Sequence, residues 1–596
     1  MNELFPPSAI VLVVIWPLLL AAAMLARSMH SVALRFAPWA ALPAFLLGVF
    51  PPQNGTFQLS WVLLGTELGL ESNTSRLFLL FTTLLWWLSG MYAQRYLLDR
   101  PGRNRFFGYF LLSMTGNLGL ILAQDMMSFY LFFALMSFAS YGLVVHERTN
   151  EALHAGRIYI ILVIIGEIAL FSAMMLAAVS TGSKEFATVR HELAQVEHRD
   201  LIMLLAFLGF GIKAGVLGLH VWLPLAHPVA PTPASAVLSG AMIKAGLLGW
   251  LRLLPLGETV MLQWGQVFMI LGLATAFYGV CIGLTQRVPK TVLAYSSISQ
   301  MGIMTMAVGL GLTAPEAYPD ILTAITLYAL HHGLNKGALF LGVGVIGACS
   351  GAQRRWVWLA MWLPALALAG APLTSGMLAK VLLKMQIVNA PESWIFVLKI
   401  LLPLSALATS LLVGRFLVVL FKPREDATSQ LPAGLVWPWA LLLAAAVILP
   451  WMLMPKLSTL WSLATFLTSF WPVLLGALLV VTARVWSASR VRQYGVERMA
   501  EGQIPGGYLL SRIPPGDILI PLSFIVKRIL ALGYRLVGEL LPQWRDAQLA
   551  FLERLWSQLK FWRMLARFEA TINQWSVAVG ILLLLGCAMV MIGIFN

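Results

Sequence analysis

Runs of about twenty predominantly apolar residues recur along nearly the whole chain, and each is long enough to cross a bilayer as a helix. In hydrocarbon a backbone must satisfy its own N–H and C=O groups, and a helix does so within the segment. Composition agrees. Of 596 residues, 59% are hydrophobic and 11% are charged, whereas a soluble domain carries about 25% charged residues. The mean hydropathy is +0.83. The chain is predicted to be an all-α polytopic membrane protein. About sixteen spans are expected, starting near residues 9, 33, 76, 106, 126, 157, 200, 232, 262, 291, 319, 356, 393, 435, 468 and 575. The N-terminus, MNELFPPS, has no basic region, so the first apolar run reads as helix one and not as a signal peptide.

The net charge of +15 would suggest nucleic acid in a soluble protein. Here the basic residues sit at the ends of apolar runs, where they orient the chain by the positive-inside rule, and no nucleic-acid partner is expected. Arg27 and Arg35 lie in the first loop, Arg95, Arg100, Arg103 and Arg105 in the third, and Arg148 and Arg157 in the fifth. The second and fourth loops have essentially none. Arg287 with Lys290, Arg354 with Arg355, and Lys422 with Arg424 continue the pattern. Odd loops are therefore expected in the cytoplasm and both termini outside, in a bacterial-type inner membrane. The sixth loop, SKEFATVRHELAQVEHRD, mixes acids and bases and does not follow the rule. Cys281, Cys349 and Cys587 are isolated and make no metal or disulfide spacing.

Residues 487–574 are more charged. From about Ile518 their apolar residues recur at three and four, an amphipathic pattern expected on the cytoplasmic membrane surface. A terminal anchor helix, 575–596, follows.

Against this apolar background the run GIKAGVLGLHVWLPLAHPVAPTPASAVLSGAMIKAGLLG, from Gly211 to Gly249, carries Lys213 and Lys244. A lysine at the bilayer centre costs roughly 2.5–3.5 kcal/mol on insertion scales. Gly209, Gly211, Gly215 and Gly218 surround Lys213, and Pro224, Pro228, Pro231 and Pro233 follow. Glycine weakens a helix and proline removes a donor, so this segment is expected to be broken. A second such segment, LPALALAGAPLTSGMLAKVLLKM, has Gly370, Pro372 and Gly376 ahead of Lys380. The two lie five spans apart, which suggests an inverted repeat of five helices around a midplane ion site. The expected segments are 1–105, N-terminal helices; 106–255 and 256–421, the two repeats; 422–486, C-terminal helices; then 487–574 and 575–596.

Glu167 in VIIGEIALF, and His331, His332 and Lys336 in LYALHHGLNKGALFL, fall in the same belt. His332 and Lys336 are four apart and share a helix face. Any one of these residues is explained by snorkelling or a structural hydrogen bond, and Lys290 and Arg252, near helix ends, read that way. A line of Glu167, Lys213, Lys244, His331, His332, Lys336 and Lys380 reads as a path for protons or cations.

KAGVLGLHVWLPLAHPVAPTPASAVLSGAMIKAGLLGWLR, QRVPKTVLAYSSISQMG, HHGLNKGALFL and APLTSGMLAK resemble motifs of the antiporter-like subunits of respiratory complex I. The resemblance covers roughly residues 70–420. That superfamily also includes hydrogenase-4 and formate hydrogenlyase subunits, multisubunit Na+/H+ antiporters and the membrane partner of an inorganic-carbon uptake system. It implies two inverted five-helix bundles, with Lys213 and Lys380 resembling the lysines of the two broken helices. Lys244, His332 and Lys336 resemble the connecting axis, and Glu167 an acidic position on the sixth helix. Ser239 occupies a place where some members have histidine. One departure stands out: FYLFFALMSFASYGL has Phe133-Ala134 where the family has Trp-Glu. That glutamate normally partners the seventh-helix lysine, so Glu167 is the expected substitute. Asp125 lies nine residues away, about 13 Å along a helix.

The chain has no Fe–S cysteine cluster, haem motif or nucleotide loop, so no cofactor and no redox or hydrolytic site are expected in it. The expected function is a proton-translocating subunit of a complex I-like assembly. The alternative is a membrane subunit of an H+- or Na+-driven transporter, either for inorganic carbon (bicarbonate) or a multisubunit Na+/H+ antiporter. A scaffold that has lost conduction is the third reading. Expected partners are other membrane subunits, a soluble catalytic or redox protein, lipid, and H+ or Na+.

Overall fold

The computed structural model describes residues 6, 8–52, 56–59, 65–70, 72–421, 433–453, 462–494 and 528. Each span start expected up to residue 468 lies at, or a turn or two from, an observed helix start. Eleven helices among the described residues are long and apolar enough to cross a membrane. The remaining helical segments miss that standard for visible reasons. Ala9–Ala23 is short, with 15 residues. Tyr318–Gly347 is long but carries the polar set His331, His332, Asn335 and Lys336. The segments around Lys213 and Lys380 are interrupted. The terminal anchor and nearly all of 487–574 lie outside the described residues.

The helix Arg103–Leu122 starts after Gly102, whose φ is +78°. The helix Leu463–Tyr494 runs without interruption through 486 and 487. The sixth loop holds a short helix, Phe186–Glu192, whose Arg190 and His191 both contact Glu258. A two-stranded hairpin, Phe57–Leu59 with Thr66–Leu68, had no sequence signal.

Helices in a membrane gain no hydrophobic drive to pack against each other, so small residues that allow close approach decide which pairs meet. Leu262–Thr285 and Pro289–Thr313 are such a pair. Gly265, Gly272 and Gly279 recur every seventh residue on the first helix. A Cβ at Gly272 would sit 2.4 Å from the Met306 nitrogen, and one at Gly302 would sit 2.5 Å from the Gly272 carbonyl. Overpacking of this kind typically costs about 1–3 kcal/mol. Gly272→Val is therefore expected to lower the thermal unfolding midpoint in detergent. Ile270→Val, on the half-exposed outer face of the same helix, is expected to leave it alone. Equal midpoints for the two variants would contradict this packing.

His146 follows the helix Met126–Val144 and is 4% exposed. Burial first, then Arg105, Arg100 and Arg148, lower its pKa from 6.5 to about 4. Between those values the unfolded chain binds a proton that the folded chain refuses. Stability is therefore lost as pH falls through that window, by up to about 3 kcal/mol. His146→Gln is expected to flatten the acid limb of a stability-against-pH curve; an unchanged limb would argue against this linkage.

Candidate functional site

The first broken helix begins as Arg199–Ala214 and ends where Gly215 turns left-handed at φ +77°. The Gly211 carbonyl accepts from both Gly215 and Val216 nitrogens. Gly211 thus caps the break from within the helix, and the break itself falls at Gly215–Gly218. Trp222–Val229 resumes the helix and includes Pro224. Pro231 and Pro233 then start the next helix, Thr232–Leu253. The Trp222 indole donates to the Ile212 carbonyl at 2.7 Å, tying the resumed part to the end of the first.

Lys213 is 4% exposed and donates to the Tyr159 hydroxyl at 3.4 Å. Its ammonium lies 5.6 Å from the Phe133 ring centre and 5.7 Å from that of Tyr159. Cation–π attraction partly replaces lost water. Glu167 lines the same small cavity of about 10 Å³, with Ser137, Tyr159 and Trp222. That is room for about one water. Glu167 Oε2 is buried without a hydrogen-bond partner. Gly166 and Gly209 let the two helices close on this spot, since a Cβ at Gly209 would lie 3.0 Å from the Gly166 carbonyl. Phe133 and Ser137 face the cavity, while Ala134 is outside its lining. Asp125 is occupied elsewhere, capping the helix Met126–Val144 through the Met127 and Ser128 nitrogens.

Lys244 and Lys336 each bond a backbone carbonyl, and a pair of serine hydroxyls lies between the two. A π-helical turn, Leu238–Met242, interrupts the helix just before Lys244. Lys244 Nζ donates to the Ser239 carbonyl at 2.6 Å. Ser239 Oγ meets Ser297 Oγ at 2.7 Å. Ser297 Oγ donates to the Leu293 carbonyl at 3.0 Å, and Lys336 Nζ donates to that same carbonyl at 2.8 Å. Gly240 and Gly333 set this register: a Cβ at Gly333 would sit 2.7 Å from the Gly240 carbonyl. His332, buried beside them, has no protein hydrogen-bond partner at either ring nitrogen.

The second broken helix ends its first part, Trp362–Ala369, at Gly370 with φ +87°. Pro372 and Leu373 cross the gap, Leu373 at φ +63°. Ser375–Met385 follows. Lys380 donates back to the Leu368 and Ala369 carbonyls at 3.0 and 2.7 Å. It is only partly buried in the protein, unlike the other lysines of the axis. A Cβ on Gly376 would meet the Ala367 carbonyl at 1.7 Å, so only glycine fits there. His331 bonds Ser375 Oγ at 2.9 Å and Asn335 at 3.1 Å, bringing the second break to the central helix.

The sequence reading missed Tyr159, Ser297 and Ser375. Serines and tyrosines are common in such helices, and only the fold shows which face a lysine. Lys290 and Arg252 act structurally. Lys290 donates to the Ala230 carbonyl at 2.7 Å, and Arg252 caps the helix Arg103–Leu122 through the Leu120 and Ala123 carbonyls. Among the described residues no cluster of His, Cys, Asp or Glu could hold a metal.

Residues 123–405 match the family described as NADH:quinone oxidoreductase/Mrp antiporter, transmembrane region. Hydrogenase-4 component B of Escherichia coli (strain K12) is 33% identical over 285 residues, 46% of this chain and 42% of that protein. The putative antiporter subunit mnhA2 of Staphylococcus haemolyticus (strain JCSC1435) is 30% identical over 361 residues, 56% of this chain and 45% of that protein. The match thus spans less than half the length of these curated relatives. In fold, the chain is similar to the Mrp complex from Dietzia sp. DQ12-45-1b, with a TM-score of 0.68, 21% identity and coverage of 94% of this chain and 63% of that one. It is also similar to the membrane-bound sulfane sulfur reductase, an archaeal respiratory membrane complex, with a TM-score of 0.62, 19% identity and coverage of 80% and 99%. The segment 123–405 of this multi-pass membrane chain is thus similar to the antiporter-like membrane subunits.

Proposed function

We propose that this chain is the ion-translocating subunit of a multisubunit, complex I-like membrane assembly, and that it moves protons along Glu167, Lys213, Lys244, His332, Lys336 and Lys380, with His331 at the second break. The observation that carries this reading is the polar bridge between Lys244 and Lys336: each donates to a backbone carbonyl, and the Ser239–Ser297 hydroxyl pair lies between the two, so each lysine feels the other's charge. Two buried ammonium groups sharing one polar chain repel each other when both are charged, so protonation of one favours proton loss from the other. That is the coupling a relay needs.

At the first break, Glu167 stands in for the fifth-helix glutamate that Ala134 lacks. A carboxylate in the Lys213 cavity favours the charged ammonium, and moving it or its proton releases the lysine proton. The unpartnered Glu167 Oε2 and His332 nitrogens are where buried water would complete the relay. The two breaks, five spans apart, would be related by an inverted repeat. In this reading all sixteen spans cross the membrane, the amphipathic stretch lies on its cytoplasmic side, and redox chemistry belongs to other subunits.

The second reading is a subunit that exchanges a cation such as Na+ for protons. The staphylococcal relatives' name and the fold likeness to an Mrp complex favour it. Purification in mild detergent separates the two: Fe–S or hydrogenase subunits would support the first, and only small hydrophobic antiporter subunits the second.

Two substitutions test the path in vesicles holding the intact assembly. Glu167→Gln is expected to abolish coupled proton flux, and near-normal flux would remove Glu167 from the path. Ser297→Ala is expected to slow flux several-fold, since a lost neutral hydrogen bond is worth about 0.5–1.5 kcal/mol. Ser296→Ala, whose hydroxyl is buried without a partner, is expected to behave as the wild type. Equal rates for the two serine variants would contradict the link.

A further inference from the structure

A cavity of about 930 Å³ is lined by none of the lysines proposed above and lies at the ends of several helices. Tyr96 and Leu420 stand at or beside the last residues of two helices, Gly347 ends a third, and Pro289 begins a fourth. The cavity therefore sits where spans meet the polar edge of a bilayer. Among the described residues its charged lining is one-sided: Arg95, Arg100, Arg287, Lys290 and Arg354 line it with a single carboxylate, Asp99. Beside them is an apolar wall that includes Val343, Ile346, Val419 and Leu435.

Part of this charge already has work to do. Lys290 donates to the Ala230 carbonyl. Arg354 donates to the Ile346 and Leu420 carbonyls at 3.0 and 3.1 Å. Arg100 stacks on Tyr96 and lies 3.6 Å from Glu147. Arg95 and Arg287 make no hydrogen bond or ion pair to another described residue. Helix ends need carbonyl caps, but five cations in one cavity exceed that need. Nor does the site suit a cation entrance, because its potential repels H+ and Na+.

We infer that this cavity binds the phosphate headgroup of an anionic phospholipid, with Arg95 and Arg287 facing the phosphate and the apolar wall taking the start of an acyl chain. Basic pockets between membrane helices at the bilayer edge are the general form of such sites. The volume falls within the range of about 300–1,000 Å³ typical of ligand pockets. A phosphate diester offers the anionic oxygens that arginine binds through its planar fork. A glycerol backbone and the first methylenes explain why the wall beside the cations is apolar.

The test is a native mass-spectrometry titration of the full chain in neutral detergent, with phosphatidylglycerol, phosphatidylcholine and inorganic phosphate as separate probes. Phosphatidylglycerol is expected to bind at least about tenfold more tightly than phosphatidylcholine. The double variant Arg95→Gln/Arg287→Gln is expected to weaken phosphatidylglycerol binding on the order of thirtyfold, from about 1 kcal/mol for each basic side chain. The phosphatidylcholine affinity and the unfolding midpoint should stay unchanged. Arg95→Lys/Arg287→Lys is expected to restore most of the binding, which separates charge from fold. Equal affinity for the two lipids, or undiminished phosphatidylglycerol binding by the glutamine variant, would overturn the assignment. So would displacement of the lipid by an equal concentration of inorganic phosphate, because the site would then be one for a free anion.

Discussion

A charged side chain in hydrocarbon needs a polar partner from the protein itself, and in this chain most of the central lysines find it in backbone carbonyls beside irregular helix. Lys244 bonds the Ser239 carbonyl within the π-helical turn. Lys380 bonds the carbonyls that end Trp362–Ala369. Lys336 takes the Leu293 carbonyl, already shared with Ser297. An unsatisfied carbonyl and an unpaired ammonium are each costly in such surroundings. Placed together they relieve one another without a permanent counter-charge. A lysine held by a dipole keeps a choice of protonation state that a tight ion pair would remove.

Lys213 is the exception. It has a phenol, two aromatic faces and a carboxylate across a cavity for about one water. Although Ala134 stands where the resembled motif has glutamate, Glu167 on a neighbouring helix lines the same cavity as this lysine. Close glycine contacts fix these meetings. Gly166 with Gly209, Gly240 with Gly333, and Gly376 with Ala367 each bring two backbones together beside a residue of the axis. The same small-residue logic that assembles the bundle also sets the spacing of its polar residues.

Much of this was legible in the sequence for physical reasons. Hydrophobic length marks a span, so helix positions followed from apolar runs alone. Gly and Pro beside a lysine announce a broken helix, and both breaks lie where Gly215 and Gly370 adopt positive φ. The exact partners were not legible. Ser297 looks like its neighbour Ser296, and only the packing of three helices shows that one bonds Ser239 while the other has no partner. The hairpin at Phe57–Leu59 is too short to carry a pattern. The basic cavity gathers residues from loops far apart in sequence, each of which alone reads as an orientation signal.

The account rests on Lys244 and Lys336 acting as one linked pair. The most direct measurement is coupled proton flux in vesicles carrying the native assembly with Lys244→Met, Lys336→Met or both. A linked pair predicts that each single variant loses about as much flux as the double, because removing either end breaks the same step. Full flux with both lysines replaced would contradict the account, as would single losses that simply multiply in the double variant.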